Sequence, residues 1–450
     1  MTNILFFPCN GHGVVASMQT INTLGIAMPN LQINTLSTNC DSGGATGNDR
    51  IINQQLFSNN LSYQGWKNLA LGDYMKLLMG FIKHKFTVTA DNKTDIQVDK
   101  WISFDQRLLA SSTRNNNQGE LLEQMASFFE GIGISLEGVL KSVGINLGQL
   151  NQYVEDYLEV LESLKNDSQA PELKDETDRG QTVWFYLLIN FLYNSCNQDF
   201  SEINLIWQRL GVIYPNVNLG VIGSEAHHLS YTDCAGKVYL EEDEFDNRSD
   251  VSSPLDMASS RLYDVTNSSS NANNKALKLE LDSETILKIQ SADQIVIPLG
   301  SHETVYAYID EYQDYLKSKK IILIMNSDMS KGQKSEYNQL LHLLNEIKLE
   351  ELVIIGHPSE INSEMKLPEN AMIKYVGHDT KGMLRTDTLN SEIIKQILTN
   401  IPIEANLDTN LESVSRELKN ARLGSHLNIL KPFLKHPKNS QESFRQFAMY

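Results

Sequence analysis

Ten consecutive residues hold the densest chemistry in the chain. Asp41-Ser42-Gly43-Gly44-Ala45-Thr46-Gly47-Asn48-Asp49-Arg50 contains three glycines, two hydroxyls, two carboxylates and one guanidinium. Glycines leave backbone N–H groups free to converge on an anion. Arg50 can fork two phosphate oxygens, and Asp41 can hold a divalent cation. The same residue types also build an ordinary surface turn, so the position of the segment has to decide between the two readings. It follows the strand-like run LQINTLSTN at 31–39, and the carboxyl ends of parallel strands are where open α/β sheets hold ligands.

Four further segments share that kind of position. Asn10-Gly11-His12-Gly13 follows NILFFPC and precedes a helical pattern at 14–27. It reads as a glycine turn, with Asn10, Gly11 and Gly13 near an anion at a positive helix end. Leu71-Gly72-Asp73 opens the helical run YMKLLMGFIKH, so Asp73 is either an N-cap or a second carboxylate of the site. Gly300 and Ser301 close ADQIVIPLGS, and Asn326 closes KKIILIMN with Ser330 and Gly332 behind it. Each is a plain strand-end turn alone; their common edge is what joins them. His227, His228, His302, His357 and His378 have no i, i+4 partner or carboxylate triplet, which disfavours a zinc or iron site. The nucleophile elbow and the P-loop lysine motif are both missing from the sequence, which weakens hydrolase and ordinary ATPase readings.

The elements that must carry these segments alternate in type. Strand, glycine turn, helix and strand over residues 3–39 open a doubly wound parallel sheet. From 118 to about 212 the apolar spacing is helical throughout. HHLSYTDCAGKVYLEEDEFD reads as a hairpin turning at Ala235-Gly236. Strands return at 292–301, 319–329, 351–358 and 371–379 as continuous apolar runs, the pattern of a sheet covered on both faces. The expected fold is therefore α/β, a Rossmann-like doubly wound, mostly parallel sheet with a helical insertion. Residues 1–84 and 214–400 form one domain, 85–213 the insertion and 401–450 a C-terminal extension with a helix near 409–422 and a polar, basic tail.

Bulk properties narrow the function. A 450-residue chain suggests about two or three domains. Its net charge of −18 argues against nucleic acid, whose phosphates demand surplus Lys and Arg, but leaves room for one small anion held locally. The most apolar run, VWFYLLINFLY at 183–193, is too short for a bilayer core of roughly 30 Å, so no membrane partner is expected. Four scattered cysteines, at 9, 40, 196 and 234, show no metal-binding spacing and fit reduced thiols in a cytoplasmic protein.

Taken in order, these motifs resemble the 2-phospho-lactate transferase-like (CofD-like) superfamily, in particular its gluconeogenesis factor branch. That branch carries D-D-G-G-S-S-G-x-x-R, P-G-D-L-R, G-P-G-S and N-x-M-x-x-x-G at comparable places. The resemblance spans roughly residues 3–84 and 214–400. It matches Asp41, Gly43, Gly44, Thr46, Gly47 and Arg50 to the glycine-rich loop, Gly72 and Asp73 to the G-D pair, Gly300 and Ser301 to the G-S turn, and Asn326 to the asparagine. What it implies is a nucleotide or nucleotide-sugar ligand and, in the transferase branch, magnesium-dependent phospholactyl transfer to a deazaflavin. Ser42 stands for the loop's second aspartate and Tyr74-Met75 for its L-R pair. Those departures favour a binding, regulatory protein. The alternative is a transferase in which Asp41 and Asp73 hold magnesium and act as the catalytic pair. A homodimer is compatible with either.

Overall fold

Strands rich in Ile, Val and Leu make the centre of the molecule, because β-branched side chains pack well on a pleated surface. The computed structural model describes residues 2–8, 10–37, 56, 60–66, 71–85, 118–131, 133–165, 183–222, 229–230, 263–264, 283–298, 302–325, 334–358, 361, 366–377, 386–401, 407–420 and 423–435. In chain order, β1 is Thr2–Phe6, α1 Asn10–Ala27 and β2 Leu31–Thr35. Then come α2 (Gly72–Lys85), α3 (Gln118–Gly131), α4 (Leu136–Ser142), α5 (Leu147–Lys165), α6 (Val183–Ser195) and α7 (Phe200–Arg209). Three short strands follow, β3 (Val217–Asn218), β4 (Leu229–Ser230) and β5 (Tyr263–Asp264). The second half alternates: α8 (Ser283–Ser291), β6 (Gln294–Pro298), α9 (His302–Leu316), β7 (Lys320–Ile324), α10 (Lys334–Glu346), β8 (Glu351–Gly356), β9 (Met372–Tyr375) and α11 (Thr386–Thr399). The last elements are β10 (Leu407–Asn410), α12 (Leu411–Asn420), α13 (Leu427–Leu430) and β11 (Leu434–Lys435).

Seven strands form one sheet in the order β3-β2-β1-β6-β7-β8-β9, and every pairing in it is parallel. Ile4 lies opposite both Ile33 and Gln294, Val296 opposite Ile322, and Ile322 opposite Val353. The pleat then divides the side chains. Ile4, Phe6, Ile33, Val296, Ile322 and Val353 belong to one buried cluster with α1, α2 and α11. Leu5, Phe7, Ile295, Ile321, Leu323 and Ile354 belong to a second, with α8, α9 and α10. Both faces are covered, as the unbroken apolar runs predict. Each such side chain contributes about 1.5–3 kcal/mol on burial. The chain is a doubly wound, parallel α/β protein of Rossmann type.

The helices between β2 and β3 join the first of those clusters through α2. Leu121, Phe129, Tyr153, Leu188 and Trp207 are all buried in it. Sequence gives the helix ends: Ser135 accepts from the Gly138 N–H at 3.3 Å, and Asp199 accepts from the Ser201 N–H at 2.7 Å, both N-cap bonds. The segment before α2 is tied to this body at Asp156, which accepts from the Tyr63 hydroxyl at 2.7 Å and from the Asn60 amide at 3.1 Å. The apolar α6 is a core helix, and among the described residues no helix is long and apolar enough to cross a membrane.

Cys196 at the end of α6 is 1% exposed and its thiol is free; the other three cysteines lie outside the described residues. Burial, with Glu202 and Asp199 adding to it, pushes this thiol from 9.0 up to about 12. The neutral form is what the folded state favours. Its contribution is therefore complete below the unfolded thiol's value and fades as pH rises from about 9 towards 12. Cys196 is expected to stay unalkylated by iodoacetamide at pH 8 in the native protein and to react fully in urea. Peptide mass spectrometry reads the difference, and native labelling at Cys196 would contradict its burial.

One expectation needs correcting, and one open alternative is decided. The helix after β1 begins at Asn10, not near residue 14, so Asn10-Gly11-His12-Gly13 is its first turn. Phe7 and Pro8 follow β1 before that turn. Glycine costs least at a helix start, where N–H groups are unpaired anyway. Asp73 is not an N-cap, because Met75 donates its N–H to Leu71 at 2.8 Å and Leu71 holds that position. Of the expected hairpin segment Leu229–Ser230 is described, and it lies antiparallel to Tyr263–Asp264. The turn at Ala235-Gly236 lies outside the described residues. Beyond these, the C-terminal extension is folded back onto α1. Val414, Leu418, Leu423 and Leu430 are buried in the first cluster, and the Thr23 hydroxyl lies 2.8 Å from Nδ1 of the buried His426.

Candidate functional site

In an all-parallel sheet every strand ends at the same edge, and neighbouring strands whose connections leave to opposite faces open a crevice there. Here the order reverses between β1 and β6. From β1 the chain leaves to α1 on one face; from β6 it leaves to α9 on the other. Phe7 still donates to Val296 at 2.8 Å, so the two strands stay paired up to the point of divergence. The 18-residue α1 starts at that point. Its first turn has no acidic side chain, so nothing in that turn itself offsets the positive end of the helix.

The sequence motifs map onto this edge as follows. Asn10, Gly11 and Gly13 lie in the first turn of α1, and Gly72 and Asp73 in the first turn of α2. The structure brings these two helices together, Met18 of α1 packing against Gly80 of α2. A carboxylate at Asp73 suits a helix start electrostatically. Next to it, Tyr74 is 0% and Met75 3% exposed. The position where the resemblance expects an arginine is thus part of the hydrophobic core. Asp41, Gly43, Gly44, Thr46, Gly47, Arg50, Gly300, Ser301 and Asn326 lie outside the described residues. So do His227, His228 and His378. The described chain meets them at Ser37, Pro298 and Met325, each at the carboxyl end of its strand. Among the described residues no group of three His, Cys, Asp or Glu side chains is placed to hold a metal ion.

Sequence reading missed several buried polar residues that hold the elements around this site together. The Thr20 N–H and hydroxyl both donate to Asn390 Oδ1 of α11, at 2.9 and 2.5 Å. The Gln294 amide donates to the Ile397 carbonyl at 3.1 Å. Asn216 donates to the carbonyls of Met28 and Leu31, at 3.0 and 2.9 Å, and so closes the turn between α1 and β2. Thr35 and Ser37, at the end of β2, have no exposure. Only their place within an otherwise apolar strand row could have marked them. Compared with protein-family models, curated proteins and solved structures, the chain matches none.

Proposed function

We propose that this chain binds a nucleotide or nucleotide sugar through its phosphates at the carboxyl edge of the sheet, as a cytoplasmic binding or regulatory protein of CofD-like type. The observation that carries this reading is the reversal of strand order between β1 and β6, with the start of α1 set on it. Backbone N–H groups there suit an anion, and the glycine-rich segment with Arg50 follows the neighbouring strand. Binding without transfer is favoured by the burial of Met75 in the core. Charge developing during transfer needs a preorganised cation or donor, and residue 75 offers none.

The test is a thermal-shift and calorimetric screen of nucleoside diphosphates and their sugar conjugates, with and without magnesium. Arg50→Ala is expected to lower affinity for the best ligand about ten- to hundredfold, the loss of one charge-assisted pair, with the ligand-free melting temperature unchanged. Equal affinity in the variant would remove Arg50 from the site. Turnover separates binding from catalysis. With magnesium, a guanylyl phospholactate donor and a deazaflavin acceptor, no sustained nucleotide release is expected. Release that disappears in Asp73→Asn would replace this reading with the transferase.

A further inference from the structure

Two hydroxyls at the end of β2 are buried side by side on one strand without a match. Thr35 and Ser37 are each 0% exposed, and neither Thr35 Oγ1 nor Ser37 Oγ has a hydrogen-bond partner. Among the described residues the buried hydroxyls of Thr20 and Thr23 are matched, to Asn390 and His426, and the buried Tyr74 hydroxyl, in the helical core, is the other one without a partner. An unmet buried hydroxyl is unfavourable. The same strand row uses Leu31 and Ile33 in the positions before them, so an apolar side chain would serve the fold as well.

Their direction follows from the pleat. Leu31 and Ile33 point into the cluster that holds α1, whereas Leu36 points into the opposite one. Thr35 and Ser37 therefore share the α1 side. Register sets their height. Thr35 lies opposite Phe6, and Ser37, bridged to Val221, is level with Pro8, midway between the end of β1 and the start of α1. Both hydroxyls thus lie on the α1 side of the sheet at its carboxyl end, close to the level at which α1 starts. Hydroxyl donors and helix-start amides together suit a phosphate, and they add no charge.

We propose that Thr35 and Ser37 are ligand-binding residues, whose hydroxyls donate to phosphate oxygens held at the first turn of α1. The inference rests on the nucleotide-binding reading and deepens it by naming two contacts of that site. Since both hydroxyls are shut off from solvent, a phosphate has to displace the groups that cover them.

Thr35→Val and Ser37→Ala keep the side-chain shape closely enough to isolate the hydroxyl. Melting temperatures without ligand, and affinities for ADP, GDP, UDP and inorganic pyrophosphate with magnesium, are measured for wild type and both variants. Without ligand, each variant should melt at or above the wild-type temperature, because an unpartnered group has been removed. Affinity for the tightest of the four probes should fall about tenfold or more per hydroxyl, and Thr35→Ser and Ser37→Thr should retain it. A wild-type protein that binds a probe while both variants bind it equally well overturns this inference and leaves the binding reading standing. Variants that melt below wild type without ligand overturn it as well, since the hydroxyls would then serve the fold. No response of the wild type to any of the four probes overturns both readings.

Discussion

Replacing Trp207 by alanine is expected to lower the free energy of unfolding by about 3–5 kcal/mol, the range for removing a large aromatic side chain from a packed core. The indole is fully buried in α7. It lies parallel to the Phe129 ring of α3, with centroids 6.4 Å apart and an interplanar angle of 1°. Tyr74 of α2 lies beside it, so three helices lose a common contact at once. The Trp207 carbonyl also accepts from Val212 at 2.7 Å and from Ile213 at 3.3 Å, the bonds that end α7 and turn the chain towards β3. Those backbone bonds survive the substitution, so the loss is one of packing. Trp207 Nε1 lies beside the Tyr74 hydroxyl without a well-formed hydrogen bond, and Trp207→Phe should accordingly be milder, about 1–2 kcal/mol for the smaller volume. Urea unfolding followed by circular dichroism, with the slope held constant, measures both. An alanine variant within 1 kcal/mol of wild type would mean that the helices between β2 and β3 do not share the core of the sheet.

Much of this architecture was legible because parallel strands buried on both faces leave a signature that survives without partners. The runs QIVIP, KIILI and ELVIIG have almost no polar interruption, and no helix of that length would be apolar all round. Strand order was harder. Nothing in the composition of β6 says that it lies against β1 and not at an edge; that follows from Ile4 meeting Gln294 and from the pairing around it. The start of α1 was misplaced for a local reason. Glycines at 11 and 13 weaken the helical signal, yet the packing of Met18, Ile21 and Leu24 in the core holds the helix together from further along. The C-terminal extension was read as a helix and a tail because its apolar residues carry no local sign of what they pack against. Their docking on α1 depends on pairs such as Thr23 with His426, which are 403 positions apart. At the site, glycine density drew attention to Asp41 through Arg50, whereas Thr35 and Ser37 look like ordinary strand residues until their burial is known.

Asn204→Leu is expected to cost about 2–5 kcal/mol although it exchanges a polar side chain for an apolar one of similar size. Asn204 lies on the inner face of α7 and is 4% exposed. Its amide donates to the Leu219 carbonyl at 2.8 Å, and its Oδ1 accepts from the Leu219 N–H at 3.0 Å. The side chain thus takes the place of a neighbouring strand for the residue that follows β3. Leu219 is 0% exposed, so removing Asn204 leaves one backbone donor and one acceptor buried without partners, each worth about 1–3 kcal/mol. Asn204→Asp separates the two bonds. The carboxylate keeps the acceptor for the Leu219 N–H but faces the Leu219 carbonyl with a second negative oxygen. At pH 7 it should therefore be at least as damaging as leucine, and milder near pH 4, where protonation restores a donor. The consequence for function is positional. Gly220 and Ile222, directly beyond Leu219, bond to both sides of Ser37 at 2.9 and 2.8 Å, so Asn204 supports the strand that holds the end of β2 in place. A ligand that binds at this edge should lose affinity in Asn204→Leu even at temperatures where the protein is fully folded. Thermal melts paired with calorimetric titration separate the two losses, and an Asn204→Leu variant as stable as wild type would show that Leu219 finds its hydrogen bonds elsewhere.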